Sequence, residues 1–363
     1  MNSLAGAILN NRTGRSVSQP QLIAILLVAL AALALASISF GAVGLTPQEL
    51  LSILAAQIGL KLPWEFSAAQ ESIVMLIRLP RTLFSILLGA GLAAAGAAIQ
   101  GLFRNPLADP ALIGISNGAA CGAVFFIVVG GGLFGATAGS LTLFLTPAAA
   151  FLGGMAATWL VFRISTRNSE TSVTIMILGG IAINAMAAAF IGLMMFVADD
   201  DELRTVTFWL LGNIAGAGWK SIGVAALFIL PALLALTRYS SVLDAMMLGE
   251  REARHLGFNV ERGKFHITFL TAVIVGTAVS LAGVIGFIGL VVPHIVRLLT
   301  GSHHQRVIPL SMLSGGILLL LSDLAARLVA APAEMPVGIL TSAIGGPFFL
   351  WLLLRFKRNR SLM

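Results

Sequence analysis

The chain has 363 residues, 58% of them hydrophobic and 10% charged, with a mean hydropathy of +0.98. Soluble domains carry about 25% charged residues, so this composition excludes a water-soluble globular domain and requires an integral membrane protein. The net charge of +7 belongs to orientation and lipid headgroups, since no basic face with interleaved aromatics is present to bind a nucleic acid. Cys121 is the single cysteine, which excludes an intrachain disulfide framework.

Runs of about 20 apolar residues cross about 30 Å of hydrocarbon at about 1.5 Å per residue. On that measure an all-α fold with ten spans is predicted, near 21–41, 82–103, 111–131, 141–163, 172–197, 220–238, 263–283, 287–299, 306–328 and 338–356. A tail of residues 1–20 precedes this single domain of 21–356, and 357–363 follow it as a second tail. Arg12 and Arg15 before the first run, and Ala34-Leu35-Ala36 within it, imitate a secretory signal. Its apolar core exceeds the ~7–15 residues of a signal peptide, so an uncleaved span is expected. Residues 42–70 read as an amphipathic segment. The eighth run is too short to cross alone, and the glycines of VIGFIGLVVP predict a broken helix packed inside protein.

Between spans two and three stands RNPLADPALIG. Asn105-Pro106 makes a turn that ends span two, while Asp109 can N-cap span three with Pro110 in its first turn, where a missing N–H is harmless. With Arg104 these residues predict a sharp hinge. Local chemistry leaves open whether it is only a well-capped loop or also meets a partner.

If both termini are cytoplasmic, sixteen of the 22 lysines and arginines fall on the inner side, and Lys61, Arg78, Arg81, Arg204, Lys220 and Arg327 on the outer. The positive-inside rule supports that orientation and an even number of spans.

Three motifs suggest enzyme chemistry and fail on context. Gly130, Gly132 and Gly135 spell G-x-G-x-x-G without the preceding strand or following acid of a dinucleotide site. GFNVERGKF (257–265) resembles a phosphate loop but has one residue too many between its glycines and Phe265 where a magnesium-binding hydroxyl belongs. GISNG (114–118) has no histidine base within reach for its serine, because His255, His266, His294, His303 and His304 fall in or near inner loops. Gly114, Gly118 and Gly122 read instead as a close-packing helix face. No catalytic residue and no metal site are expected.

After span six comes LDAMMLGEREARHLGFNV, in which Ala245-x-x-Leu248-Gly249 recurs as Ala253-x-x-Leu256-Gly257 eight residues later. Two short helices are predicted over about 242–258, each stopped by a glycine. Glu250, Arg251, Glu252 and Arg254 lie exposed between them, and apolar Leu243, Met246, Met247 and Leu248 suit a groove in a partner. Charge and pattern alone fit a solvated loop equally well.

RLPRTLFSILLGAGLAAAGAAIQGLFRNPLADPALIGISNGAACGA (78–123) closely resembles the permease subunits of bacterial ABC importers for iron-siderophores, haem and vitamin B12, the FecCD/vitamin B12-type family. The likeness covers about residues 70–356 and includes LPRTL (79–83), GFIGLVVPHIVRLLTG (286–301), SDLAARL (322–328) and EMPVGILTSAIGGPFFLWLL (334–353). It implies a type II importer permease in the inner membrane: ten helices per subunit, a homodimer around a central pathway, two separate ATPase subunits inside and one periplasmic binding protein outside. ATP and Mg would bind the ATPase, and this chain would hold no cofactor.

The loop after span six resembles the family's coupling helices, which insert into the ATPase. Arg78, Arg81 and Arg327 resemble the arginines that receive acidic residues of the binding protein, although interfacial snorkelling is the usual reason for such residues and Asp323 lies four residues before Arg327 on one helical face. Span five belongs to the part of the family fold that lines the pathway. Its Met176, Met186, Met194 and Met195 then suggest an apolar passage, while methionines so spaced also serve as packing. The sequence looks most like the haem permeases, with ferric siderophores and cobalamin as alternatives. A secondary transporter would need a mid-membrane ionisable group, for which only Asp323 is available; a channel is a weaker rival.

Overall fold

Ten apolar helices in the computed structural model, which describes residues 19–41, 44–130, 142–331 and 333–360, correspond to the ten predicted spans. In chain order the helices are α1 (Gln19–Ser39), α2 (Pro47–Ala56), α3 (Ala68–Leu102), α4 (Ile115–Gly130), α5 (Thr142–Ser165), α6 (Val173–Val197), α7 (Asp200–Leu210) and α8 (Trp219–Arg238). After them come α9 (Ser240–Leu248), α10 (Glu250–His255), α11 (Val260–Ala282), α12 (Ile288–Thr300), α13 (His304–Val329) and α14 (Val337–Arg360). Eight are long and apolar enough to cross a membrane; α4 and α12 are shorter. Helices α2, α7, α9 and α10 are short connectors, and β1 (Thr166–Arg167) pairs antiparallel with β2 (Glu170–Thr171) in a hairpin between α5 and α6.

The bundle is organised around α3. Its segment GAGLAAAGAAIQG, residues 89–101, carries mostly methyl groups or none, so neighbours can approach from every side, and α8, α11, α12 and α13 pack on it. At Gly89 a Cβ would collide with the backbone of Gly315 in α13, and at Gly96 with that of Gly289 in α12. Small residues permit this contact where burial against hydrocarbon supplies no driving force between helices. The predicted glycine face also forms, since Gly118 and Gly122 in α4 lie directly against Gly153 and Ala149 in α5.

The eighth span is broken as expected. Gly283 (φ 70°) ends α11, Phe287 adopts φ 67°, and only Ile288–Thr300 is helical. The backbone freed by the break is satisfied from within: the Asn213 N–H donates to Ala282 O at 2.7 Å, and Gln100, 1% exposed in α3, donates to Leu290 O at 3.1 Å. Irregular backbone is tolerated in a bilayer only where protein covers it.

Two readings need correction. Span three does not begin at 111: Asp109 Oδ1 accepts from the Ala111 N–H at 2.8 Å and caps a single 3-10 turn, Pro110–Ile113, after which Gly114 at φ 83° breaks the chain before α4 starts. His294 is not in a loop but in the middle of α12, 5% exposed, with its ring edge-on to Phe348. Residues 131–141, which include Gly132 and Gly135, lie outside the described residues.

Within the segment 42–70, the described residues 44–70 gain structure from capping. Thr46 and Glu49 form a reciprocal capping box on α2, Ser67 and Gln70 another on α3, and these bonds satisfy otherwise orphaned N–H groups. Bonds from the Thr46 N–H, the Gln70 amide and the Thr46 hydroxyl hold the Glu49 carboxyl below its ordinary range. Leu45, Leu50 and Ile53 then close a small core with Ile38 and Val74.

Loops assigned to one side by charge meet one another in space. The hinge, the 166–171 hairpin and the loop after α8 are joined at one end, while Arg78, Arg81, Arg327 and Glu334 gather at the other. Replacing Gly96 by Leu drives a side chain into the Gly289 backbone and should lower stability by about 3 kcal/mol or more; the fraction surviving as monodisperse protein in detergent after heating measures it.

Candidate functional site

The loop after α8 folds into the two predicted helices. Gly249 ends α9 at φ 133°, and Gly257 follows α10 at φ 87°, conformations that a side chain would resist. Burial divides the residues differently from the sequence reading. Leu243, Ala245, Met246 and Ala253 turn inward against their own chain, because the i, i+3 face of each short helix is needed to seat it on the bundle. The apolar side chains left facing out are Met247 (42% exposed), Leu248 (69%) and Leu256 (62%), with Arg251 and Glu252 beside them.

Of the residues expected to lie exposed, Arg254 does and Glu250 is half-buried, and both are held by partners. Lys264, at the base of α11 and 2% exposed, donates to Glu250 and to Thr171 O at 2.7 Å and to Glu261 at 3.1 Å. Arg254 pairs with Glu261 at 3.1 Å and with Glu170 at 3.4 Å, while Arg104 of the hinge lies 3.8 Å from Glu250. A polar cavity of about 440 Å³ opens among these groups. Lys264 is the lysine of the phosphate-loop lookalike, and two carboxylates already occupy it. The network ties the loop, the hairpin and the hinge into one body.

Arg104 takes φ 49° at the hinge, and the Asn105 N–H returns to Gln100 O at 3.0 Å while its side chain accepts from the Leu107 N–H. Asn105 and Pro106 are exposed, and Pro110 is buried. The hinge therefore both reverses the chain and contacts the two-helix loop.

At the opposite end the three arginines turn inward. Arg78 and Arg81 are each 5% exposed. Arg78 donates to Ile38 O and Ser39 O at 2.8 Å, completing carbonyls at the end of α1. Arg81 pairs at 2.9 Å with Asp323, which is fully buried, and at 3.3 Å with the exposed Glu334. Arg327 lies 3.2 Å from Asp323 and donates to Ser37 Oγ at 2.6 Å. A buried carboxylate without a counter-charge costs several kcal/mol, and this requirement draws the Arg81 and Arg327 guanidinium groups inward. Asp323 is thus a structural ion-pair centre at one end of α13.

The methionines of α6 do not act alike. Met176 is 1% exposed in the core, Met186 is 68% exposed, and Met194 and Met195 are half-buried. Helix α6 packs on α4 and α5 and leaves the rest of its surface open. An apolar cavity of about 690 Å³ lies elsewhere, between α5, α8 and α11, with Phe144, Phe151, Trp219 and Phe228 on its walls.

Residues 26–355 match the FecCD transport family. The chain belongs to that family. Among curated FecCD-type relatives, the hemin transport system permease protein of Yersinia pestis is 41% identical over 346 residues, covering 94% of this chain and 98% of the relative. The cobalamin import system permease protein of Halobacterium salinarum is 38% identical and covers 82% of this chain and 78% of its own length. The vitamin B12 import system permease protein of Vibrio cholerae is 36% identical, with 84% and 89% covered. A solved structure of a metal-chelate type ABC transporter in an inward-facing conformation aligns with a TM-score of 0.80 at 30% identity, covering 93% of this chain and 99% of that one. The protein is an ABC importer permease of the type II fold, a multi-pass inner-membrane protein of a class that works with ATPase and substrate-binding partners.

Sequence reading missed Lys264, Glu261 and Glu170 as a network. The available signal was scarcity: in a chain with 10% charged residues, charges at the root of a span need partners. Lys264→Met removes the buried cation shared by Glu250 and Glu261 and leaves them only the more exposed Arg104 and Arg254. Because Glu250 and Glu261 are each about a quarter exposed, the loss should be about 2–3 kcal/mol, below the ~3–5 of a fully buried pair. Arg81→Met, which leaves the fully buried Asp323 with Arg327 as its one remaining cation, should lose more. Thermal midpoints of the purified variants rank the two.

Proposed function

We propose that this chain is the membrane subunit of a haem importer, moving haem from periplasm to cytoplasm as a homodimer with two ATPase subunits. The observation that carries the substrate is the 41% identity to a hemin permease across nearly both full lengths, against lower identity and shorter coverage for the cobalamin permeases. Cobalamin, and ferric siderophores beside it, remain the second reading because those relatives share the same fold.

In this reading the exposed Met247, Leu248 and Leu256 enter a groove on the ATPase, which binds ATP and Mg, while both termini lie in the cytoplasm. The open face of α6, with Met186, Met194 and Met195, meets the second copy or the passage it encloses. Four of the five histidines, all but His294, lie at the end of the bundle that bears the coupling loop, so haem entering from the far side would pass without axial ligation there. The binding protein docks at the end built on Arg78, Arg81 and Arg327. Arg81 and Arg327 hold that surface in shape through Asp323 and Arg78 does so through the carbonyls at the end of α1, while Glu334 at its rim is exposed.

Uptake in proteoliposomes holding the permease, its ATPase and its binding protein, with haem, cobalamin or a ferric siderophore supplied, decides the substrate. ATP-dependent accumulation of haem alone is expected; cobalamin or siderophore uptake would keep the permease and overturn the cargo. Leu248→Glu with Leu256→Glu should weaken ATPase binding at least about tenfold without unfolding the permease, since burying an unpaired charge in a partner costs more than about 1.4 kcal/mol. Titration of the ATPase onto detergent-solubilised permease reads it.

A further inference from the structure

One buried contact joins the two-helix loop to α12, α13 and α3. Asp244 lies on α9 between the inward-facing Leu243 and Ala245. Its Oδ1 accepts from the His304 backbone N–H at 2.7 Å and also stands 2.7 Å from His304 Nδ1. The first bond caps α13 across the fold, putting a carboxylate at the positive end of a long helix. His303, 77% exposed, is 4.0 Å from the other oxygen of Asp244.

The His304 ring is fully buried, and its far nitrogen, Nε2, lies 3.3 Å from Arg297 Nη2 on α12. The same Nη2 donates to Ala97 O of α3 at 2.9 Å. Gly101 of α3 lies flat against the imidazole, where any Cβ would overlap it. A guanidinium has no acceptor, so Nε2 must accept, and Nδ1 then carries the proton that it donates to Asp244. A neutral imidazole with this one tautomer bridges an anion on α9 to a cation on α12 that is bonded to α3.

We propose that His304 is a positioning residue of the transport cycle, transmitting displacement of coupling helix α9 through Asp244 and Arg297 to α3. The inference rests on the reading of this loop as the ATPase-coupling element. Three helices that do not follow one another in the chain meet at one ring, and each of its polar atoms is committed. A shift of α9 therefore acts on α12 and α3 through hydrogen bonds with defined directions, which apolar contacts alone lack.

The test compares His304→Met with His304→Gln in the reconstituted permease–ATPase–binding-protein complex, measuring cargo uptake per ATP hydrolysed. Methionine fills similar space without either bond, whereas a glutamine amide supplies one donor and one acceptor like the neutral imidazole. The methionine variant should bind the ATPase and hydrolyse ATP yet lose about tenfold in uptake per ATP, and glutamine should restore the ratio to within about threefold of the parent. Equal ratios for the two variants, or a parental ratio for methionine, would overturn the proposal. If the methionine variant does not accumulate, Asp244→Leu takes its place: it fills the space of a half-buried side chain and removes both acceptors, and an unchanged ratio there overturns the proposal equally. Failure of the unsubstituted complex to couple uptake to ATP would instead reject the coupling-loop reading itself.

Discussion

The closeness with which helices approach α3 sets the geometry of everything else. Where Gly96 lies against Gly289 and Gly89 against Gly315, backbones touch without intervening side chains. In lipid no hydrophobic gain accompanies helix association, so fine packing has to hold the bundle. That closeness also lets α12 end short of a full span. Its opening residues, preceded by Phe287 in the left-handed region, sit in protein where Gln100 reaches Leu290 O, and the Asn213 N–H reaches Ala282 O at the end of α11.

With the middle of the bundle apolar, charge collects at two ends and serves different purposes there. At one end Asp323 gathers Arg81 and Arg327, and Arg78 closes the carbonyls of α1. This network pins α1, α3 and α13 together. At the other end Lys264, Glu250, Glu261, Arg254 and Arg104 fasten the two-helix loop to the hairpin and the hinge, while Asp244 and His304 fasten it to α13. Each network is dense because an unpaired charge at the root of a span has no cheap solvation. In the proposed reading the first network gives a rigid entrance end and the second a coupling end that moves as a unit.

The relatives of this chain are permease subunits, and in the proposed reading its work is mechanical. A loop that transmits force has to be stiff relative to the contact that drives it. Helices α9 and α10 are short, and short helices are marginal by themselves. The ion pairs and the capping carboxylate supply the stiffness that their length cannot.

Much of this was written in the sequence. Ten apolar runs, the broken eighth span, the glycine stops at 249 and 257 and the grouping of loops by charge followed from period, length and residue type, because each depends on neighbours along the chain and on the bilayer. The family motifs supplied the importer fold. What the sequence left undecided were the relations between distant residues. Pattern alone placed Leu243 and Leu248 alike on a docking face, and only packing against α3, α11 and α13 turned the first inward and left the second exposed. The start of α4 moved to Ile115 because Gly114 took a left-handed conformation. Arg81 read as an external cation until Asp323, 242 positions away, was seen to need it. Length and hydropathy determine which segments cross a membrane; the pairing of scarce charges depends on which helices come within about 3 Å of one another, and only the tertiary structure decided that.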